Sequence, residues 1–434
     1  MSSYPSLPSE KVLVTPEVHH GMEPDDEGLK DSPRASSLQF KGKYCMASSR
    51  YPIFSELSIF DKLLTPLIIV TMVVGVVLGE YVPSIKDGLD AAKFHNVSLR
   101  MYPPSSMISP RLTRHVAIAI GLIVMMWPIL TKVQYERLPA LFKSKQLWIH
   151  IGISLAINWT VGPFLMLGLA WATLPDLPTY RTGVIMVGIA RCIAMVMIWN
   201  DLARGDADYA AILVVVNAVL QIILYSPLSL LFINVIGNTD DGRLHLDYGN
   251  VAISVLIYLG IPLAAGIVTR FVVWKLTSKE FFEKKFLPFF GPLALLGLLY
   301  TILVLFAYQG QNIVANVRPV FRVFVPLIVY FVLMWFLTFF FVFYLSKNKD
   351  QKKRSMFTYE MATVQAFTAA SNNFELAIAV AIAVYGVNSE QALAATIGPL
   401  IEVPVLLALT WVSLYLRHKL NWPTVANVTL NDKN

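Results

Sequence analysis

The chain is poor in charge and in cysteine. Of its 434 residues only 15% are Asp, Glu, Lys or Arg, well below the roughly 25% of a soluble domain. Its two cysteines, Cys45 in a polar stretch and Cys192 in an apolar one, are too differently placed for a disulfide framework. The seven histidines are scattered, and none stands at metal-ligand spacing. No metal centre and no cofactor are expected. No G-x-x-x-x-G-K-[ST] loop occurs, which removes the usual phosphate cradle for ATP. The net charge of +7 would suit nucleic acid, but the cations sit in short loops between apolar runs. That pattern fixes orientation in a lipid bilayer instead, so nucleic acid is set aside as a partner.

What the chain has is apolar length: 56% of its residues are hydrophobic and the mean hydropathy is +0.59. With about 20 apolar residues needed per crossing, ten spans are read: 60–81, 116–133, 147–173, 182–202, 208–236, 249–272, 287–308, 319–346, 357–385 and 390–416. Cations collect in alternate loops. Lys132, Arg137, Lys143 and Lys145 follow the second span, Arg270, Lys275, Lys279, Lys284 and Lys285 the sixth, and Lys347, Lys349, Lys352, Lys353 and Arg354 the eighth. The other loops carry Arg181, Arg243 and Arg318. Both termini are therefore expected in the cytoplasm. Residues 1–55, Ser/Pro-rich and charged, read as a disordered cytoplasmic tail, 56–420 as a ten-helix domain, and 421–434 as a C-terminal cytoplasmic tail.

Ten spans divide into five plus five, and an odd number per half sets the halves running in opposite directions. Such inverted repeats place a substrate site near the midplane, at interrupted helices in matching positions. The expected fold is thus an all-α polytopic membrane protein of two inverted five-helix repeats, with broken helices in the fourth and ninth spans. Ala190-Arg191-Cys192 and Ala370-Ser371-Asn372-Asn373-Phe374-Glu375 are the most polar interior stretches of their halves, and they occupy those positions. Residues 100–115 break the pattern, adding Arg100, Arg111 and Arg114 to a loop of the cation-poor set. Two readings stand for them. Arg-Met-Tyr and Leu-Thr admit codons resembling a splice donor and a branch point, as in a retained intron; the alternative is a tolerated surface-loop insertion.

An ionisable residue at membrane depth marks a substrate or ion pathway by default. Arg191 adjoins Cys192, and a thiol is the soft ligand that captures thiophilic elements. Adjacent helical residues point about 100° apart, so the two can cooperate only where the helix unwinds. A structural role for Arg191, pairing with a carboxylate, is the competing reading. Met195 and Trp199 follow Cys192 at i+3 and i+7, on its face if the helix is regular. Trp199 is then a pocket wall. Asn372 and Glu375 have the spacing of a capping box, consistent with a helix beginning inside the membrane. Glu402, between Pro399 and Pro404, is expected to face the bundle interior and exchange protons. Asn158 and Asn217 read as weaker interhelical amides.

These residues resemble a known family. Ala190-Arg191-Cys192-Ile193-Ala194-Met195-Val196, the run Ser371–Ala379, Gly398-Pro399-Leu400-Ile401-Glu402-Val403-Pro404 and Gly121–Pro128 are similar to the arsenical-resistance arsenite efflux carriers, of the bile acid/sodium symporter superfamily, over about residues 56–420. The resemblance implies crossed broken helices and extrusion of arsenite, in some members antimonite, against protons, without ATP. It implies a substrate site of Cys192, Arg191, Trp199, Asn217, Asn372 and Asn373, and proton coupling by Glu375 and Glu402. With no retention signal at Asn431-Asp432-Lys433-Asn434, the plasma membrane is the expected host. Two rivals remain: a sodium-coupled, bile-acid-like organic-anion symporter on the same fold, with Arg191 pairing a substrate carboxylate, and a membrane receptor or scaffold.

Overall fold

The computed structural model describes residues 59–82, 116–133, 135–137, 145–193, 195–237, 246–315, 317–347 and 356–423. Cys45, the 1–55 tail, the 100–115 segment and most of the 421–434 tail lie outside the described residues. The chain divides into Met1–Pro52 and Ile53–Asn434, and everything described belongs to the second unit.

Among the described residues the protein is helical, with no named strand. The principal helices are α1 (Ile59–Tyr81), α2 (Val116–Lys132), α3 (145–173), α4 (Pro178–Ile189), α5 (Met195–Leu202) and α6 (207–236). They continue with α7 (248–276), α8 (Pro292–Ala315), α9 (Val317–Ser346), α10 (Tyr359–Ala370), α11 (Phe374–Tyr385) and α12 (Glu390–Lys419). Six helical stretches among the described residues are long and apolar enough to cross a membrane: Leu147–Thr173, Ala207–Ile236, Tyr248–Leu276, Lys279–Gln311, Val317–Ser346 and Glu390–Lys419. The chain is a polytopic membrane protein by this architecture, since a helix satisfies its backbone groups internally in lipid.

Prolines shape several helices without ending them. Single π turns at Ile157–Val161, Leu230–Ile236 and Leu256–Gly260 lie next to Pro163, Pro227 and Pro262. A proline withholds one N–H from the ladder, and widening the turn redistributes the freed carbonyl. Pro399 and Pro404 stay inside an unbroken α12, which carries Glu402 through the site on a continuous rod.

Two real interruptions occur, and neither contains proline or glycine. α4 ends at Ile189, with Ala190 extended (φ −76°, ψ 110°). α10 ends at Ala370, with Ser371 extended (φ −81°, ψ 148°). Cys192 therefore lies outside any helix, and the regular i+3 and i+7 relation to Met195 and Trp199 does not hold; Met195 opens a new helix instead. The cap of α11 also sits one residue later than the Asn372–Glu375 spacing suggests. Asn373 is the N-cap, its Oδ1 accepting from Leu376 N–H at 3.1 Å.

The helices pack as two groups. α1, α2, α7 and α8 form one, while α3, α4, α5, α6, α9, α10, α11 and α12 form the other. α7 also touches α6 and α11, and α12 meets α1 and α8. α1 and α8 approach so closely that a Cβ on Gly79 would lie 2.2 Å from the Ala307 carbonyl oxygen. In lipid, where apolar side chains gain little from meeting, such backbone approach supplies the dispersion contact. On the outer edge of the second group, Arg322 forks onto Asp176 at 2.6 Å through both Nη atoms. That hydrogen-bonded guanidinium holds the Asp176 carboxyl down at about 2, joining the α3–α4 turn to α9.

A side chain at position 79 must push α1 from α8. Gly79→Val is expected to destabilise the protein by about 1–3 kcal/mol through overpacking, read as a lower thermal unfolding midpoint in detergent; an unchanged midpoint would mean the two helices separate without loss.

Candidate functional site

The site is built where the two interruptions meet. Arg191 and Asn372 pair as an isolated antiparallel bridge, and Asn373 N–H donates to the Ala190 carbonyl at 3.0 Å. The Asn372 amide adds bonds to the carbonyls of Val187 (2.8 Å) and Ala190 (3.1 Å). From α6, the Gln221 amide donates to the Arg191 carbonyl at 2.5 Å and the Asn217 amide reaches the Cys192 carbonyl at 3.5 Å. Asn373 Nδ2 closes the ring onto Gln221 Oε1 at 3.3 Å. Carbonyls freed at the end of a helix must find donors when no water is at hand. The second interruption supplies donors to the carbonyls of the first.

Both asparagines of the second stretch are thus engaged within the protein, Asn373 Nδ2 by the Gln221 side chain, while Asn372 Oδ1 has no partner. Asn217 also accepts from the Trp159 indole at 3.2 Å, so it holds the Cys192 loop by its carbonyl. Asn158 does not bridge helices: its amide returns to Ser154 of its own helix, at 2.9 Å and 3.1 Å.

Arg191 is fully buried. Its Nη1 donates to the Tyr330 hydroxyl at 2.8 Å and its Nη2 to the Gly188 carbonyl, and no described carboxylate forms an ion pair with it. The carboxylate partner considered from the sequence is replaced by a phenol and a helix C-terminus, whose dipole favours a cation. Tyr330 passes the contact on to the Ala369 carbonyl of α10 at 3.2 Å. Gly162 keeps the guanidinium's place, since a Cβ there would lie 2.6 Å from Arg191 Nη1 and 3.0 Å from the Tyr330 hydroxyl.

On the opposite side of the crossing stands the chemistry. Ser371 donates its hydroxyl to Glu402 Oε1, and the Cys192 thiol lies at the same hydroxyl. Trp199 of α5 lies beside Glu402, with Nε1 and Oε2 outside hydrogen-bond geometry. Cys192, Ser371, Trp199 and Glu402 are all at most 1% exposed. Glu375, in the first turn of α11, is half-buried. It shares with Glu402 a crevice lined by Met195, Phe374 and Pro399 on one side and by Ile68 of α1 and Leu298 of α8 on the other. The crevice therefore runs between the two helix groups and ends on both acids. Behind Glu402 comes the thiol.

The structure brings together five of the eight sequence candidates around this crevice and crossing chemistry: Cys192, Trp199, Glu375, Glu402 and, through its backbone, Asn372. Asn217, Asn373 and Arg191 face into protein and hold the loop. Sequence reasoning passed over Ser371, although it stood in a quoted run, and passed over Gln221, one helical turn after Asn217 on an otherwise apolar span. Tyr330 gave no signal among the aromatics of α9. Among the described residues no cluster of three or more His, Cys, Asp or Glu could hold a metal ion.

Residues 119–316 match the Sodium Bile acid symporter family. The chain is 40% identical to the arsenical-resistance protein Acr3 of Corynebacterium glutamicum over 376 residues, 86% of this chain and 94% of that protein. It is 32% identical to an uncharacterised transporter of Synechocystis, over 81% of this chain and 88% of the relative. It is 28% identical to the Acr3 arsenical-resistance protein of Alkaliphilus metalliredigens, over 83% and 93%. The sequence motifs, the helical architecture and these likenesses agree, and the chain belongs to the Acr3 arsenical-resistance family of membrane transporters, within the bile acid/sodium symporter superfamily.

Proposed function

We propose that the chain is a secondary carrier that exports arsenite in exchange for protons, with antimonite as a second substrate. One observation carries the reading: a thiol, a hydroxyl and two carboxyls stand together at the crossing of two interrupted helices, beside the crevice between the helix groups. Arsenous acid is uncharged at neutral pH, so membrane voltage cannot drive it. Coupling then needs a group that trades a proton against the substrate, and Glu402 is placed for that trade.

The chemistry balances without an oxidant. The Cys192 thiol attacks As(OH)3, an As–S bond forms, one As–O bond breaks, and the thiol proton leaves with the displaced hydroxyl as water. Release is the reverse hydrolysis. A single As–S contact keeps the affinity moderate, which a carrier requires of its site. Glu402 or Glu375 gives up its proton as the substrate loads and is reprotonated from the far side, which resets the carrier. Trp199 walls the site, and Arg191, Asn217, Asn372 and Asn373 hold its loop.

The same proposal includes ten spans in two inverted five-helix repeats, both termini in the cytoplasm, and the plasma membrane as host. Support comes from the matching positions of the two interruptions and from the alternation of cations between loops. The sodium-coupled organic-anion reading is disfavoured by Arg191. Its guanidinium is bonded to Tyr330 and Gly188 and is not offered to a substrate carboxylate.

In vesicles carrying the purified protein, Cys192→Ser is expected to abolish arsenite efflux, and native-rate efflux would remove the sulfur role. Glu402→Gln is expected to retain arsenite binding while losing the acceleration that an imposed pH gradient gives. Full gradient-driven exchange in that variant would rule out Glu402 as the coupling acid.

A further inference from the structure

A carboxyl buried behind a crevice needs a path for its proton to the other side of the bundle. α5, α10 and α12, the helix that carries Glu402, pack on one another, and buried polar side chains of all three lie among them. Asn200 follows Trp199 on α5, is fully buried, and has neither amide atom hydrogen-bonded. Thr363 of α10 lies beside it: a Cβ built on Gly205 would be 1.9 Å from Asn200 Oδ1 and 3.2 Å from Thr363 Cγ2. Thr363 Oγ1 is 3.4 Å from Ser413 Oγ of α12, and Ser413 Oγ is 2.9 Å from the Tyr359 hydroxyl. Tyr359 donates to the Ala203 carbonyl at 2.8 Å, under the Arg417 guanidinium 5.0 Å from its ring. Arg417 pairs with Glu360 at 3.1 Å, both about one-third exposed. That pair marks the surface.

One turn before Ser371, the Thr368 hydroxyl is also buried and without a partner. Leaving buried polar atoms unpaired is costly, and ordered water is their usual partner. Such atoms occur in several parts of the bundle, and one group of them gathers here. Glu402 Oε2, Trp199 Nε1, Thr368 Oγ1 and both amide atoms of Asn200 belong to the same three helices, and eleven residues separate Glu402 from Ser413 on α12. Along α12 that is about 16 Å, at 1.5 Å per residue. Simple helix glue would satisfy its own donors and acceptors; this set leaves them open.

We propose that Asn200, Thr363, Ser413 and Tyr359 form a hydrated proton route joining Glu402 to the bundle surface at Glu360 and Arg417. The inference rests on Glu402 carrying the coupling proton. One proton leaves Glu402 and one enters bulk water. Each hydroxyl donates forward as it accepts from behind, and is regenerated when it turns back. Glu402 is the one member of the route that also lines the crevice, so in this proposal it meets substrate there and exchanges its proton along the route.

Thr363→Val keeps the shape and removes the hydroxyl, Asn200→Leu removes the amide, and Thr363→Ser keeps the hydroxyl. Each is compared with the native chain in reconstituted vesicles, for pH-gradient-driven arsenite efflux and for arsenite–arsenite counterflow at equal pH, which moves no net proton. The expected result is an efflux loss of about tenfold for Thr363→Val and Asn200→Leu, the equivalent of ~1.4 kcal/mol on the barrier. Thr363→Ser should be near native, and counterflow should be unchanged in all three. Native efflux in Thr363→Val and Asn200→Leu, or equal loss of efflux and counterflow, would overturn the route. Glu402→Gln serves as the control: if it keeps full gradient-driven efflux, the coupling reading fails before the route is at issue.

Discussion

Backbone carbonyls and amides inside an apolar layer must be bonded, and lipid offers them no partner. That constraint explains why the two interruptions of this chain occur at the same place. Ala190 offers a carbonyl to the Asn373 amide, Asn372 takes the last carbonyls of α4, and Gln221 takes the Arg191 carbonyl. Either break alone would leave several groups unpaired, at about 1–3 kcal/mol each. Together they form one closed unit. Because that unit is closed, Cys192 and Ser371 can stand outside any helix and still be held beside Glu402 on unbroken α12.

The crossing also sorts the polar residues into two kinds. On one side, Arg191 is locked by Tyr330 and Gly188, and its charge is part of the scaffold. On the other, Glu402 keeps one oxygen unpartnered and Glu375 borders the crevice. Arg191 is not among the residues lining the crevice, and both acids are. In the proposed cycle this arrangement suits a neutral cargo. A scaffold cation turned into the protein neither repels nor traps such a cargo, while the acids face the space it must enter. The second wall of the crevice comes from α1 and α8, a separate group of helices. Sliding of that group against the crossing would open the site to one side or the other, as hinge and shear motions of packed elements do.

Much of this was legible in the sequence because polarity inside a 20-residue apolar run is conspicuous. Arg191, Cys192, Glu375 and Glu402 were found that way, and the two most polar stretches are the two that break. What was hidden depended on contacts between distant segments. Tyr330 is one aromatic among many on α9, and nothing local marks it as the partner of an arginine 139 positions earlier. The type and place of Asn372 and Asn373 gave no hint that the Asn372 side-chain amide and the Asn373 backbone N–H bond to carbonyls at the end of α4. The capping register slipped by one because Asn372 and Asn373 are equally good caps by type, and the bridge to Arg191 claims the first of them. Thr363 and Ser413 are unremarkable in sequence, since small hydroxyls are common in membrane helices, and only the packing of α10 on α12 joins them.

The claim on which the account stands is that arsenic meets sulfur at this crossing. X-ray absorption at the arsenic edge, on purified protein loaded with arsenite, reads the atoms bonded to the metalloid directly. The account predicts one sulfur and two oxygens around arsenic in the native chain, and oxygens alone when Cys192 is replaced by serine. An all-oxygen shell in the native protein, unaltered by that replacement, would contradict it.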